Sequence, residues 1–223
     1  MEVITYPSRA ALMAGLAQVL ADDLRAALAR DGHATLSVPG GTTPGPVFDL
    51  LAQMPLDWAR VAILLNDERW VGEDSPRSNT ALLRARLLQG PASAATLIPM
   101  RADAATPEQA LPDLIAGLTL HLPLSVLLLG MGADMHTASL FPGADLLDAA
   151  LAEDAPALLP MRAEAAGEPR ITLTAPILRR AGKIHILITG MEKREALTRA
   201  ASLPPAKAPV ACVLPLATIH WAE

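Results

Sequence analysis

Leu124-Ser125-Val126-Leu127-Leu128-Leu129, running straight into Gly130-Met131-Gly132-Ala133-Asp134-Met135-His136, sets the architecture to look for. An apolar run this short, bounded by Pro123 and Gly130, predicts a strand covered on both faces in a parallel sheet. Upstream, Leu114 to Ala133 carries no Asp, Glu, Lys or Arg, and its length reaches the roughly 20 residues a bilayer needs. His121 and Pro123 interrupt it, and Gly130 and Gly132 end it, so a helix tail followed by a buried strand accounts for it and no transmembrane segment is expected.

The same alternation extends in both directions. From Ser8, apolar residues at 12, 16, 19, 20, 24 and 28 mark an amphipathic helix closed by Asp31-Gly32. Ala34 to Val38 reads as a strand, the run Pro39 to Pro44 as a tight turn, and Val47 to Leu51 as a helix. Val61 to Leu65 is the next strand, and a helix is expected from Asn79 to Leu88. Thr106-Pro107-Glu108 starts a further helix, with proline at its first position and an acidic side chain at the positive end of the dipole. Arg170 to Thr174, a helix through Leu178, the strand Lys183 to Thr189, a helix from Glu192 to Ala201 and a last strand near Val210 to Leu214 complete the order. Strand and helix in alternation predict an α/β fold: an open, mostly parallel, Rossmann-like sheet flanked by helices on both faces, in one domain over residues 1–223.

Composition narrows the function. With 52% apolar and 18% charged residues over 223 positions, the chain can bury a substantial core. A net charge of −5 disfavours phosphate polymers and anionic lipid, so neither a nucleic-acid nor a membrane partner is expected. The single cysteine, Cys212, lies in an apolar stretch and reads as a buried thiol in a reducing, cytoplasmic setting. The amino terminus, MEVITYPSRAAL, lacks the basic-then-apolar order of a signal peptide.

In such sheets ligands bind beyond the carboxyl ends of the strands, so the polar residues after each apolar run are the candidates. Gly40, Gly41, Thr42 and Thr43 form a loop whose glycines let the backbone approach an anion. In Asn66-Asp67-Glu68-Arg69, an extended backbone sends Asp67 and Glu68 opposite ways, one toward the crevice and one into structure, while Arg69 offers a fork for phosphate or carboxylate. Ser78-Asn79 reads as a helix cap. Asp134 and His136, two apart in a glycine-bearing loop, form a pair suited to proton transfer near neutral pH, whereas Asp-x-His alone is a poor metal pattern. The other four histidines read as structural or surface positions. Arg170 and Lys193, each next to a strand, add positive charge for a small anion.

Together the segments GGTTP (40–44), NDERWV (66–71) with SN (78–79), GMGADMHTASLFPG (130–143), RITLTAPIL (170–178) and TGMEK (189–193) resemble the 6-phosphogluconolactonase family, in the family's order and over nearly all of the chain. The resemblance implies the sheet shared with glucosamine-6-phosphate deaminases and ribose-5-phosphate isomerases. It implies opening of 6-phosphoglucono-δ-lactone to 6-phosphogluconate in the pentose phosphate pathway, without metal or organic cofactor. His136 would be the general base, with Asp134 its companion. Asp67 and Arg69 match the D-E-R motif. Arg170 and Lys193 match positions that hold phosphate, and Gly40, Gly41, Thr42 and Thr43 the glycine loop. The chain is expected as a monomer or weak homodimer. Two departures stand out: Met135 replaces the usual glycine before the histidine, and would be strained if that position needs positive φ; the carboxyl end, His220 to Glu223, is shorter than the family's helical tail.

Opening a cyclic ester requires an activated water, donors for the oxyanion and protonation of the leaving oxygen. His136 would serve both proton steps. Backbone N–H groups of the glycine loops, or an arginine, would face the oxyanion. No G-x-S-x-G elbow supports a covalent serine route. An isomerase or deaminase with Asp67 as base is the competing activity; Arg69 and the run Thr137 to Pro142 stand where the deaminases typically carry tyrosine and an A-F-N-E-P-like run. A non-catalytic sugar-phosphate sensor lacks a DNA-binding segment here.

Overall fold

The computed structural model describes residues 1–223, the side chain of Ala165 apart. Its strands are β1 (Glu2–Thr5), β2 (Ala34–Val38), β3 (Val61–Leu65), β4 (Asp67–Arg69), β5 (Thr96–Leu97), β6 (Val126–Gly130), β7 (Leu158–Met161), β8 (Arg170–Leu173), β9 (Lys183–Thr189) and β10 (Thr218–Ala222). The helices are α1 (Arg9–Asp31), α2 (Gly45–Ala52), α3 (Asn79–Arg86), α4 (Pro107–Thr119), α5 (Leu147–Leu151), α6 (Ala175–Arg179) and α7 (Met191–Ala200). Seven strands form one parallel sheet in the order β1-β10-β9-β6-β2-β3-β5, and β4, β8 and β7 form a small antiparallel sheet beside it.

The apolar run that opened the sequence reading is β6, at the centre of the sheet, with Val126 to Leu129 fully buried. From β2 the chain moves outward through β3 to β5, then returns to β6 and moves the other way through β9 to β10. The loops leaving β2 and β6 therefore diverge at their carboxyl ends, which opens a crevice between them. Asn66 braces this point: its Oδ1 accepts from Ser37 Oγ at 2.6 Å and its Nδ2 donates to the Leu128 carbonyl at 2.8 Å.

Helix α1 buries Leu12, Leu16, Leu20, Leu24 and Leu28 along one stripe, begins at the Ser8 cap and ends at Gly32 in the left-handed region, as the sequence predicts. Cys212 is buried, and burial pushes its thiol up to about 12. The segment Leu114 to Ala133 divides into the end of α4, a loop and β6, and no helix among the described residues is long and apolar enough to cross a membrane.

Two expectations are corrected. Val210 to Leu214 is not a strand: it lies in two short 3-10 turns, and Pro209 and Pro215 deny a ladder the donors it needs. The last strand is instead β10, which carries the buried His220 between β1 and β9. Arg170 to Thr174 is extended but pairs antiparallel with β4 and β7, outside the main sheet. β1, β5 and β7 are too short or too exposed to leave a periodic signature.

Candidate active site

A cleft of about 220 Å³ lies at the crevice, lined after β2 by Pro39, Gly40, Gly41, Thr43 and Pro44, from β4 by Asp67 and Arg69, after β6 by Gly130, Met131, Gly132 and His136, and by Arg170 and Lys193. That volume is below the roughly 300–1,000 Å³ typical of drug-sized ligands, so the cleft suits one small molecule. Among the predicted residues, Gly40, Gly41, Thr43, Asp67, Arg69, His136, Arg170 and Lys193 meet there. Thr42 instead faces an adjoining surface hollow beside Arg9 and Leu50. Asp134 stands behind the imidazole, outside the cleft wall.

Asp134 Oδ1 lies 2.6 Å from His136 Nδ1 and accepts the His136 backbone N–H at 3.2 Å. A carboxylate only accepts, so Nδ1 carries the proton and Nε2 keeps its lone pair. That hydrogen bond holds the Asp134 carboxyl below the usual range, against the opposing effect of burial. Gly132 makes the pair possible, because a Cβ there would collide with both side chains. Gly40 plays the same part opposite, where a Cβ would strike the Asn79 amide.

Met135 does adopt the left-handed region, at φ 68°. Its N–H donates to the Gly132 carbonyl at 3.0 Å and its carbonyl accepts from Val210 at 3.1 Å, which fixes the turn. An L residue there costs about 1–2 kcal/mol, and a β-branched one more. Met135→Ile is expected to lower unfolding free energy by about 1–2 kcal/mol further, and Met135→Gly to change it by less than about 1 kcal/mol, because relief of strain is offset by added chain entropy. Urea denaturation of the two variants measures this; equal stabilities would show that the turn relaxes around the side chain.

The D-E-R motif divides as the extended backbone requires. Glu68 is buried and turns away from the cleft, where its carboxylate accepts from the N–H groups of Asn79 (2.9 Å) and Thr80 (2.7 Å), from Thr80 Oγ1 (2.6 Å) and from the Arg69 N–H (2.8 Å), thereby capping α3. Asp67 faces the cleft, with Oδ2 receiving Ser139 Oγ and lying 3.4 Å from the Arg170 guanidinium. Arg69 donates to the Arg77 carbonyl at 2.6 Å and sits 3.9 Å from Glu168, a carboxylate held mainly by Arg77. Burial and the neighbouring Arg170 and Arg77 charges lower the affinity of Arg69 for its proton, the mark of cations crowded together. The Nε atoms of Arg69 and Arg170 are buried without a hydrogen-bond partner. Lys193, at the start of α7, forms no ion pair among the described residues. The cleft thus sets an imidazole near cationic groups suited to an anion.

Two residues that support the site escape sequence reasoning. Asn79 looks like a second cap beside Ser78, yet its Nδ2 reaches the Asp67 carbonyl at 3.1 Å and its side chain lines the cleft. Ser139 is hidden among alanine and leucine, and only the fold brings it to Asp67, 72 positions away.

Fold and cleft define an α/β protein with a small, cation-lined cleft beside a carboxylate-oriented histidine. The comparisons with known proteins make the class specific: the chain belongs to the family of glucosamine-6-phosphate isomerases/6-phosphogluconolactonase, whose model matches residues 7–221. A 6-phosphogluconolactonase of Mesorhizobium japonicum is 44% identical, over 97% of this chain and 93% of its own length. One from Rhizobium meliloti is 42% identical, over 93% and 94%. The crystal structure of a 6-phosphogluconolactonase from Shewanella baltica superposes with a TM-score of 0.96 at 31% identity, covering 100% of this chain and 98% of that one.

Proposed function

We propose that this protein hydrolyses 6-phospho-D-glucono-1,5-lactone to 6-phospho-D-gluconate, with His136 as general base. The observation that carries the reading is the imidazole in the cleft wall, its Nδ1 on Asp134 and its Nε2 free of protein partners among the described residues. Nε2 takes a proton from water as the oxygen attacks C1 of the lactone, and the imidazolium, stabilised by Asp134, returns it to the ring oxygen as the C1–O bond breaks. No net proton is consumed at the histidine.

Arg69, Arg170 and Lys193, with the backbone of Gly40 and Gly41 and the Thr43 hydroxyl, hold the phosphate, so that binding energy far from C1 orients the carbonyl. Asp67 shapes the wall by fixing Arg170 and Ser139; with one oxygen engaged by both, it is poorly placed to act as the base of an isomerase. We assign residues 1–223 to one functional unit, since the cleft draws on strands from β2 to β9, and place it in a reducing cytoplasm on the chemistry of Cys212.

A coupled assay that generates the lactone in situ and follows acid release tests the reading. Purified protein is expected to exceed the spontaneous rate, and to act on the unphosphorylated lactone at least about 100-fold less efficiently, because charge-assisted contacts of roughly 1.5–3 kcal/mol each are lost. A rate no higher than the background would end the proposal.

A further inference from the structure

The turn after His136 brings together residues that the linear motif keeps apart. Thr137 bridges Leu140, the Leu140 N–H donates to the Thr137 carbonyl at 2.9 Å, and Ala138 takes φ 49°. A tight reversal of this kind sets its flanking residues side by side. His136 and Phe141 therefore meet, with ring centroids 4.3 Å apart and planes inclined by 33°. The same phenyl ring also lies 5.4 Å from the Arg170 guanidinium. Ser139 anchors the turn twice: its hydroxyl donates to Asp67 on β4, and its N–H donates to Thr172 Oγ1 on β8 at 3.1 Å. Phe141, at 5% exposure, is thus held by a turn bolted to two buried strands.

We propose that Phe141 is a positioning residue for the reaction, wedged between the general base and the cationic wall so that the imidazole plane stays where Nδ1 meets Asp134 and Nε2 meets the substrate water. The inference rests on the reading of His136 as general base. A single contact from Nδ1 to Asp134 fixes one atom and leaves the ring free to swing about it. The side chains of that pair are 31% and 46% exposed, so packing from the solvent side restrains them little. A flat aromatic face beside the imidazole removes the swing, and its other contact, with Arg170, ties the orientation of the base to the group that receives the anion.

Phe141→Leu keeps an apolar side chain and removes the flat face. kcat is expected to fall at least about tenfold, with KM rising by less than that factor, because a small misplacement of a catalytic group costs rate before it costs binding. Phe141→Tyr, which restores the face, is expected to recover most of kcat. Nitrogen-15 spectra of the ligand-free protein supply a readout that simple space-filling would not move: one Nδ1–H tautomer at His136 in the wild type and in Phe141→Tyr, and a mixture in Phe141→Leu. Should Phe141→Leu fail to fold, Phe141→Met gives the same comparison with a flexible side chain. Wild-type kcat together with a single tautomer in the Leu or Met variant would overturn the proposal. A tautomer change in a protein that opens no lactone would instead support the packing role and overturn the assignment of His136 as base.

Discussion

His136→Asn is expected to lower kcat for lactone opening by about 10²- to 10⁴-fold while leaving KM and Tm near their wild-type values. The rate falls because asparagine has no group that can take and return a proton near neutral pH. Binding survives because the cationic groups on the other side of the cleft are untouched. Stability survives because the imidazole is partly exposed, and the hydrogen bond it gives up leads to an Asp134 carboxylate that water can reach. Asp134→Asn is expected to move in the same direction, since an amide can no longer fix the Nδ1–H tautomer. The decisive comparison is with Asp67→Asn under the same assay. If His136→Asn kept full rate while Asp67→Asn lost it, the base would be Asp67 and the isomerase-like reading would gain. Circular dichroism of each variant separates lost chemistry from lost fold, which matters for Asp67 because its removal leaves the buried Arg170 guanidinium without a counter-charge.

The parts of this site that sequence reasoning reaches are those whose neighbours lie close in the chain. Asp134 and His136 are two residues apart in one glycine-bearing loop. The division of labour between Asp67 and Glu68 follows from the pleat of an extended backbone, even though β4 is only three residues long. The central strands are legible for a similar reason: burial on both faces demands apolar side chains at every position, which no solvent-facing element imitates. What escapes are interactions closed by topology. Ser139 meets Asp67 because a loop after β6 folds onto β4, and nothing in the local composition announces it. β10 escapes because Thr-Ile-His-Trp-Ala mixes polar and apolar types, and its buried histidine becomes sensible only once His185 is seen beside it. The preceding Val210 to Leu214 has the composition of a strand, but the flanking Pro209 and Pro215 send it into 3-10 turns.

Acid destabilisation traceable to His220 is the other large effect, and it arises far from the cleft. Asp23 Oδ2 lies 2.8 Å from His185 Nε2, His185 Nδ1 lies 3.0 Å from His220 Nε2, and His220 Nδ1 lies 2.9 Å from the Tyr6 hydroxyl. Only one assignment of protons satisfies all three contacts with both rings neutral: Tyr6 donates to His220, His220 donates to His185, and His185 donates to the carboxylate. Burial, reinforced by the adjacent His185 and opposed by Asp23, pulls the His220 pKa down to about 4 from an ordinary 6.5. The unfolded chain therefore takes up this proton as pH falls below 6.5, whereas the folded chain resists until about pH 4. Stability conferred by the neutral ring is complete above pH 6.5, declines by about 1.4 kcal/mol per pH unit through the window, and is lost by roughly 3 kcal/mol once the folded group also titrates. Carboxylates contribute their own acid dependence, so the measurement is a difference: urea denaturation at pH 7 and pH 4 for wild type and for His220→Gln, which keeps a donor for His185 and cannot be charged. The variant is expected to be less stable at pH 7 and to lose about 3 kcal/mol less than the wild type between the two pH values. Parallel losses in the two proteins would mean that the buried site accepts its proton without strain, and that the single-direction relay from Tyr6 to Asp23 is not what keeps His220 neutral.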